Sequence, residues 1–254
     1  MMSEPNAQEK AVDRAHRLLI ERILDGTYPI GFELPGERIL SKDLGLARNI
    51  LREALQRLSQ NGWLEISQGR ATRVRDYQRE GNINILIDLM AVNPSQRLDF
   101  VPQLLRMWAL LATDYTAAAV RREPGQIIDR LRLYDALSDS PEACTQATWQ
   151  LHRALIDYSG NVVYGLIFNS FADFYQRLAL HYYTDPIKRQ QARAFWRVLT
   201  EAARQLDAVR AAQLVHAEIL ADTDYWRRAL PAELPPASVD TSPFDSTGDN
   251  PHER

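Results

Sequence analysis

Seven residues close together in the chain, Arg38, Arg48, Asn49, Arg52, Gln68, Gly69 and Arg70, are of types that suit a nucleic-acid surface. An arginine fork can pair bidentately with guanine, and an asparagine with adenine. A glycine lets backbone approach a groove, and an arginine suits a narrow one. Over residues 38–79, nine Arg/Lys stand against four Asp/Glu, a local net charge of +5, whereas the whole chain is −3. Such a local excess is the electrostatic footprint of a DNA-binding segment. The competing reading is an ordinary solvated face. It is disfavoured because Arg48 and Arg52 lie one helical turn apart, opposite a row of leucines. Arg38 opens the preceding helix, and Arg70 stands at a hairpin tip. Residue types alone leave open which arginine reads a base and which clamps a phosphate.

The elements that must hold these residues are legible. Ile39, Leu40 and Leu44 mark one face of a short helix, which Gly45 ends. A second helix spans 47–60, with Ile50, Leu51, Ala54, Leu55 and Leu58 at helical spacing. Gly62 ends it. Trp63, Leu64 and Ile66 lead into Gln68-Gly69-Arg70, and 72–74 return as a second strand, giving a tight β-hairpin. An amphipathic helix over 10–26 precedes them. The pattern predicts a winged helix-turn-helix over 10–76 and a polar linker over 77–84.

From Ile85 to about Leu230 the pattern is helical throughout, which predicts an all-α bundle of six or seven helices. The fold class is therefore mostly α, with one small β-hairpin. Breaks fall at 93–94, 123–125, 138–141, 159–160 and 185–186. Asp185-Pro186 is a capping carboxylate followed by proline in the first turn. The run from Val162 to Tyr183 is apolar nearly all round and is expected to form one central helix containing Phe171 and Tyr182. Residues 1–9 and the proline-rich stretch 231–254 are expected to be disordered.

Composition narrows the function classes. The single cysteine, Cys144, allows no intrachain disulfide and no metal-type cysteine cluster. The N-terminus has no apolar signal region, and no apolar run approaches the ~20 residues a membrane span needs. A cytoplasmic location without membrane contact is expected. No glycine-rich phosphate loop, nucleophile elbow or nucleophile–base pair is recognisable, so no enzyme is expected.

The segments LPGER, LARNILREALQRL, NGWLEI and QGRATRV resemble the winged helix of the GntR family of bacterial transcription factors. GNINILIDL, the run SGNVVYGLIFNSF with LHYYTDP, and the placing of Trp226 resemble the fatty-acid-regulator members of its FadR-type branch. The resemblance covers roughly residues 10–230. It implies that Arg38, Arg48 and Arg52 contact operator DNA and that Gln68, Gly69 and Arg70 form the wing tip. The fatty-acid regulators have threonines beside the position of Arg48 and a histidine at the wing, where this chain has Ala47, Asn49, Ile50 and Gln68. A shifted base preference is the consequence.

The same resemblance makes the helical domain a sensor and the protein a homodimer. Many relatives hold a metal there through one Asp and three His. Here Thr148 replaces the carboxylate before His152, Arg197 stands at the second histidine position, and His216 matches the third. An arginine brings no lone pair to a metal, so no metal and no cofactor are expected, and His152 and His216 read as core histidines. Trp108 stands where relatives grip a carboxylate with arginine, which points to a wide apolar pocket. The resemblance implies a long-chain acyl-CoA effector, with Tyr182 and Trp226 at its pocket. Ile219 and Asp222 stand where the fatty-acid regulators have small residues near the thioester. Arg227 and Arg228 are either phosphate partners or a helix-end charge pair. The alternative is a small-carboxylate sensor with a residual metal site.

Overall fold

The computed structural model describes residues 7–221 except 93, together with 223, 225 and 226. The expected tail over 231–254, and Asp222, Arg227 and Arg228, lie outside the described residues. So do residues 1–6 of the expected start; Ala7 already belongs to the first helix. The chain forms two compact units, Met1–Phe100 and Val101–Arg254.

The first unit carries α1 (Ala7–Leu24), α2 (Glu37–Leu44), α3 (Arg48–Asn61), β1 (Leu64–Glu65), β2 (Arg73–Val74), α4 (Tyr77–Glu80) and α5 (Ile83–Val92). Gly45 and Gly62 end α2 and α3 in the left-handed conformation. At Gly62, with φ +96°, a Cβ would also come within 3.3 Å of the Gly81 backbone, so glycine is required there on two counts. Leu51, Leu55 and Leu58 of α3 pack with Leu19 and Ile20 of α1, Leu40 of α2 and Trp63. Ile39 was expected on the inner face of α2; it is adjacent to Leu40 in the chain and half exposed, at 51%. Adjacent residues point about 100° apart around a helix, and the core covers α2 on the Leu40 side.

The hairpin is looser than expected. The strands are two residues each, paired Leu64↔Val74 and Glu65↔Arg73, with a loop over 66–72 between them. A third extended segment lies along β2: Gly31 N–H donates to Val74 O, Val74 N–H to Phe32 O, and Leu34 N–H to Thr72 O at 2.7 Å. The wing is thereby tied by backbone hydrogen bonds to the residues that lead into α2.

α5 belongs to this unit. Ile85 and Leu89 are in its core, and the buried Asp88 carboxylate accepts hydrogen bonds from Trp63 Nε1 and Asn61 Nδ2, both 2.8 Å. Asp88 thus supplies the acceptor that a fully buried indole N–H requires. His16 Nε2 is 3.6 Å from the same carboxylate, beyond hydrogen-bond reach. Burial lowers its pKa and the Asp88 charge pulls it partly back.

The second unit is helical: α6 (Pro94–Arg122) from Val101 onward, α7 (Pro124–Arg132), a 3-10 turn (Leu133–Ala136), α8 (Pro141–Ser159), α9 (Val162–Asn169), α10 (Ala172–Tyr182), α11 (Pro186–Arg204) and α12 (Ala208–Ala221). The expected cap is present at Asp185-Pro186, where Asp185 Oδ1 accepts Ile187 N–H at 2.8 Å, and at the expected break over 138–141 Ser140 Oγ likewise caps α8 by accepting Ala143 N–H. The single helix expected over 162–183 is two, divided at Ser170-Phe171, where Phe171 has φ −107° and ψ 5°. Ser170 Oγ donates to Leu166 O, an alternative to helix continuation that Ser and Asn side chains favour. Among the described residues no helix is long and apolar enough to cross a membrane.

Asp88→Ala strands the buried Trp63 indole N–H and the half-buried Asn61 amide beneath the winged helix. It is expected to destabilise the first unit by about 2–4 kcal/mol in urea unfolding. A change within about 0.5 kcal/mol of the parent would contradict the role given to this carboxylate.

Candidate DNA interface and effector cavity

Helices α2 and α3 bring Arg38, Arg48 and Arg52 to one region. Arg52, on the exposed face of α3, forms a two-pronged ion pair with Glu37, the first residue of α2: Nη2 to Oε2 is 2.7 Å and Nε to Oε1 is 3.3 Å. That contact sets the α2 N-terminus, with Arg38 next to Glu37, against the second turn of α3. The Arg52 hydrogen bond holds the Glu37 carboxyl below its usual range, and Arg48 acts on it in the same direction. At the wing, Ser67 O accepts Arg70 N–H at 3.2 Å, and Gly69 stands in that turn at φ +76°. A positive φ there is the glycine position of a tight turn. Gln68, Gly69 and Arg70 are all exposed.

The cations sort into two groups. Arg57 pairs with Asp13 at 2.6 Å, Arg75 with Glu80 at 3.0 Å, and Arg79 with Asp76 at 3.7 Å. Arg73 Nε donates to Gly31 O. Among the described residues, Arg38, Arg48 and Arg70 have no such partner and are exposed. The α3 N-terminus has no side-chain cap at Ala47 and no acidic residue in its first turn. Its first N–H groups and its dipole therefore face outward unneutralised beside Arg48 and Asn49, an arrangement that suits a phosphate.

In the second unit, Trp108, His152, Phe171, Tyr182, Ile219 and Trp226 line a single apolar cavity of about 140 Å³. They come from α6, α8, α10, α12 and the segment beyond α12. Asp222 is outside the described residues. The sequence reading missed Leu104, Phe174, Leu178 and Trp196, which also line it. The spacing 104, 108 on α6 and 171, 174, 178, 182 on α10 carries that signal. Tyr182 stacks on Trp226 at 5.7 Å, and the Lys188 ammonium lies 5.1 Å from the Tyr182 ring centre. Glu218 is the charged residue in the wall; no arginine or lysine lines it among the described residues.

The histidines are engaged elsewhere than with each other. His152 Nδ1 shares a hydrogen bond of 2.7 Å with the buried Tyr115 hydroxyl, and His216 Nδ1 one of 3.1 Å with Thr113 Oγ1. Burial lowers the His152 pKa to about 4. Thr148 Oγ1 donates to Cys144 O and lies 2.8 Å from the Tyr183 hydroxyl. Arg197 is exposed and lines a different cavity. No group of three potential metal-ligating side chains converges among the described residues.

Comparison with known proteins agrees with both halves. Residues 11–74 match the model of bacterial regulatory proteins of the gntR family, and residues 75–237 match the FadR C-terminal domain. A fatty acid metabolism regulator protein of Shewanella pealeana is 34% identical, with 74% of this chain and 79% of that protein aligned. One from Pasteurella multocida is 34% identical over 72% and 76%, and one from Shewanella baltica is 35% identical over 76% and 82%. Among solved structures, Lar, described as controlling expression of the Listeria monocytogenes agr system, is 14% identical. It aligns over 90% of this chain and 100% of that chain, with a TM-score of 0.52, and shows the fold alone.

The buried imidazole gives the chain an acid sensitivity. An unfolded histidine titrates near 6.5, so the depressed folded value leaves stability unchanged above that pH. As pH falls from about 6.5 to about 4, the unfolded chain takes up a proton that folded His152 refuses, and about 3 kcal/mol is lost. His16 acts in the same direction, so the difference between parent and variant is the readout. His152→Gln, which cannot titrate, is expected to flatten the fall in thermal stability over this window. An unchanged pH profile would contradict it.

Proposed function

Because the chain belongs to the GntR family of bacterial regulatory proteins and carries its FadR C-terminal domain, we propose that this DNA-binding transcription regulator acts on fatty-acid metabolism genes and releases its operator when a long-chain acyl-CoA binds the helical unit. The family is one of regulators rather than enzymes. The observation that carries the acyl reading is the cavity bounded by Trp108, Phe171, Tyr182 and Trp226. Its wall is apolar and aromatic, which suits a hydrocarbon chain. Glu218 disfavours a small carboxylate, whose charge meets no arginine or lysine in the wall among the described residues. His152, neutral at physiological pH and bonded to Tyr115, offers a polar point in the apolar wall.

On the DNA side, the arrangement supports Arg48 and Asn49 as base-edge readers and Arg38 as a phosphate contact, with Gln68, Gly69 and Arg70 entering the minor groove. Arg52 reaches a base or phosphate only by sharing or leaving Glu37. We take the working form to be a cytoplasmic homodimer on a pseudo-palindromic site, because one winged helix spans too few base pairs for specificity against a genome. The effector acts by favouring a conformation in which the two recognition helices no longer match the operator.

Two measurements test this reading. With an operator selected from random DNA, Arg48→Ala is expected to weaken specific binding by ~1–3 kcal/mol per subunit and to relax sequence discrimination. Uniform weakening with a salt slope flatter by about one would make Arg48 a phosphate contact. Parent affinity in both Arg48→Ala and Arg52→Ala would remove α3 from the interface. In the second, operator release is titrated with acyl-CoAs of increasing chain length. Potency is expected to rise by about fourfold per methylene, from ~0.8 kcal/mol each, until the cavity is filled. Trp226→Ala should blunt release while leaving DNA binding without ligand intact. Equal potency of free CoA, or no release by C16 and C18 chains, would refute the acyl reading.

A further inference from the structure

The second unit has another cavity, of opposite character. It lies where α11 meets α7 and the 3-10 turn, and four arginines, Arg132, Arg193, Arg197 and Arg204, line it with a single carboxylate, Asp135. Its volume is about 260 Å³. Trp196 stands between it and the apolar cavity, lining both. Neither the winged helix nor the acyl reading uses this cavity.

The four guanidiniums differ in their commitments. Arg193 is spent on the backbone: its Nη2 donates to Leu137 O at 2.9 Å and Ser138 O at 3.0 Å, closing the end of the 3-10 turn. It contributes fixed positive charge at the wall rather than free donors. Arg132 meets Asp129 at 3.2 Å, and Arg204 meets Glu201 at 3.8 Å; all four of these side chains are half exposed or more, so these pairs are weakly held. Arg197 has no hydrogen bond or ion pair among the described residues. The Thr200 hydroxyl already donates to Trp196 O and offers no donor. Arg197 and Arg204 lie two turns apart on α11, and Arg132 comes from α7 across the groove.

We propose that this groove is a binding site for a phosphate-bearing polyanion, distinct from the effector cavity. Four guanidiniums against one lining carboxylate, with only weakly held surface pairs at Arg132 and Arg204, leave a net positive potential in the groove that a compact dianion or polyphosphate relieves. Forked guanidiniums on two helices give the bidentate geometry that phosphate oxygens accept. Arg197 and Arg204 grip from one wall and Arg132 from the other, with Arg193 as a fixed background charge. Occupancy links α7 to α11 and so acts on the helices next to Trp196.

The test uses the full-length protein and inorganic pyrophosphate as probe, followed by calorimetry, with ATP and citrate as further arms. The comparison is between the parent and the double variant Arg197→Glu, Arg204→Glu, whose side chains are exposed. The double variant is expected to bind pyrophosphate at least about tenfold more weakly, while its binding of palmitoyl-CoA and of operator DNA is unchanged. Adventitious binding of pyrophosphate to the basic winged helix would persist undiminished in the double variant, and that outcome overturns the proposal. So does the absence of saturable pyrophosphate or ATP binding to the parent, and so does citrate binding as tightly as pyrophosphate, which would remove the preference for phosphate. Failure of the acyl reading would appear separately, in the palmitoyl-CoA arm.

Discussion

A fully buried tryptophan at the end of α3 needs an acceptor for its N–H, and the chain meets that need from beyond the wing. Trp63 follows Gly62 directly, and its Nε1 donates to Asp88 of α5, which also takes Asn61. The hydrogen bonds bind α5 to the end of α3, and Ile85 and Leu89 complete the core beneath it. The family models divide at residues 74 and 75, whereas the compact unit that carries α3 extends to Phe100. Helices α4 and α5, matched to the FadR C-terminal domain, are thus physically part of the winged-helix unit. Any change in α5 must be felt at the Trp63 indole, because no water can replace Asp88 at that depth without cost.

Ion pairing decides which charges this unit presents. The net +5 of residues 38–79 overstates the free charge, since Glu37, Asp13 and Glu80 lie outside that window and take Arg52, Arg57 and Arg75. Among the described residues, Arg38 and Lys42 on α2, Arg48 on α3 and Arg70 on the wing remain open, and the three arginines span all three elements. The strand pairing of residues 31–34 with β2 fixes the wing to the lead-in of α2, so these three residues ride on one connected frame. A rigid frame is what base readout needs, because hydrogen bonds to base edges tolerate little displacement.

Much of this was legible in the sequence. Helical spacing gave α3 and its buried row, glycine gave the ends of α2 and α3, Asp185-Pro186 gave a helix start, and the break over 138–141 falls where α8 begins. What escaped has physical causes. The break between α9 and α10 uses no glycine or proline, only local hydrogen bonding at Ser170. The break between α11 and α12 rests on Leu206 at φ 56°, a conformation no leucine advertises; the readable sign was Asp207, whose carboxylate caps Arg210 N–H. Ion pairs such as Arg52–Glu37 join residues far apart in sequence, and no periodicity reveals them. In the effector cavity, the aromatic residues taken from resemblance line one space, but Arg197, aligned with a metal-ligand position, faces another. Exposure on an amphipathic helix depends on the neighbouring helices, which one sequence does not specify.

In the proposed regulator a positively charged winged helix serves DNA, an apolar cavity serves an acyl chain, and the two ligands oppose each other through the protein. Coupling between binding sites is reciprocal, so the factor by which an acyl-CoA weakens operator binding must equal the factor by which the operator weakens acyl-CoA binding. The most direct measurement is the affinity of palmitoyl-CoA for the protein, free and saturated with operator, followed by tryptophan fluorescence or calorimetry. Binding to the operator complex is expected to be weaker, by the same factor as seen in the DNA arm. Equal affinity for the free protein and the complex would contradict it, even if both ligands bind.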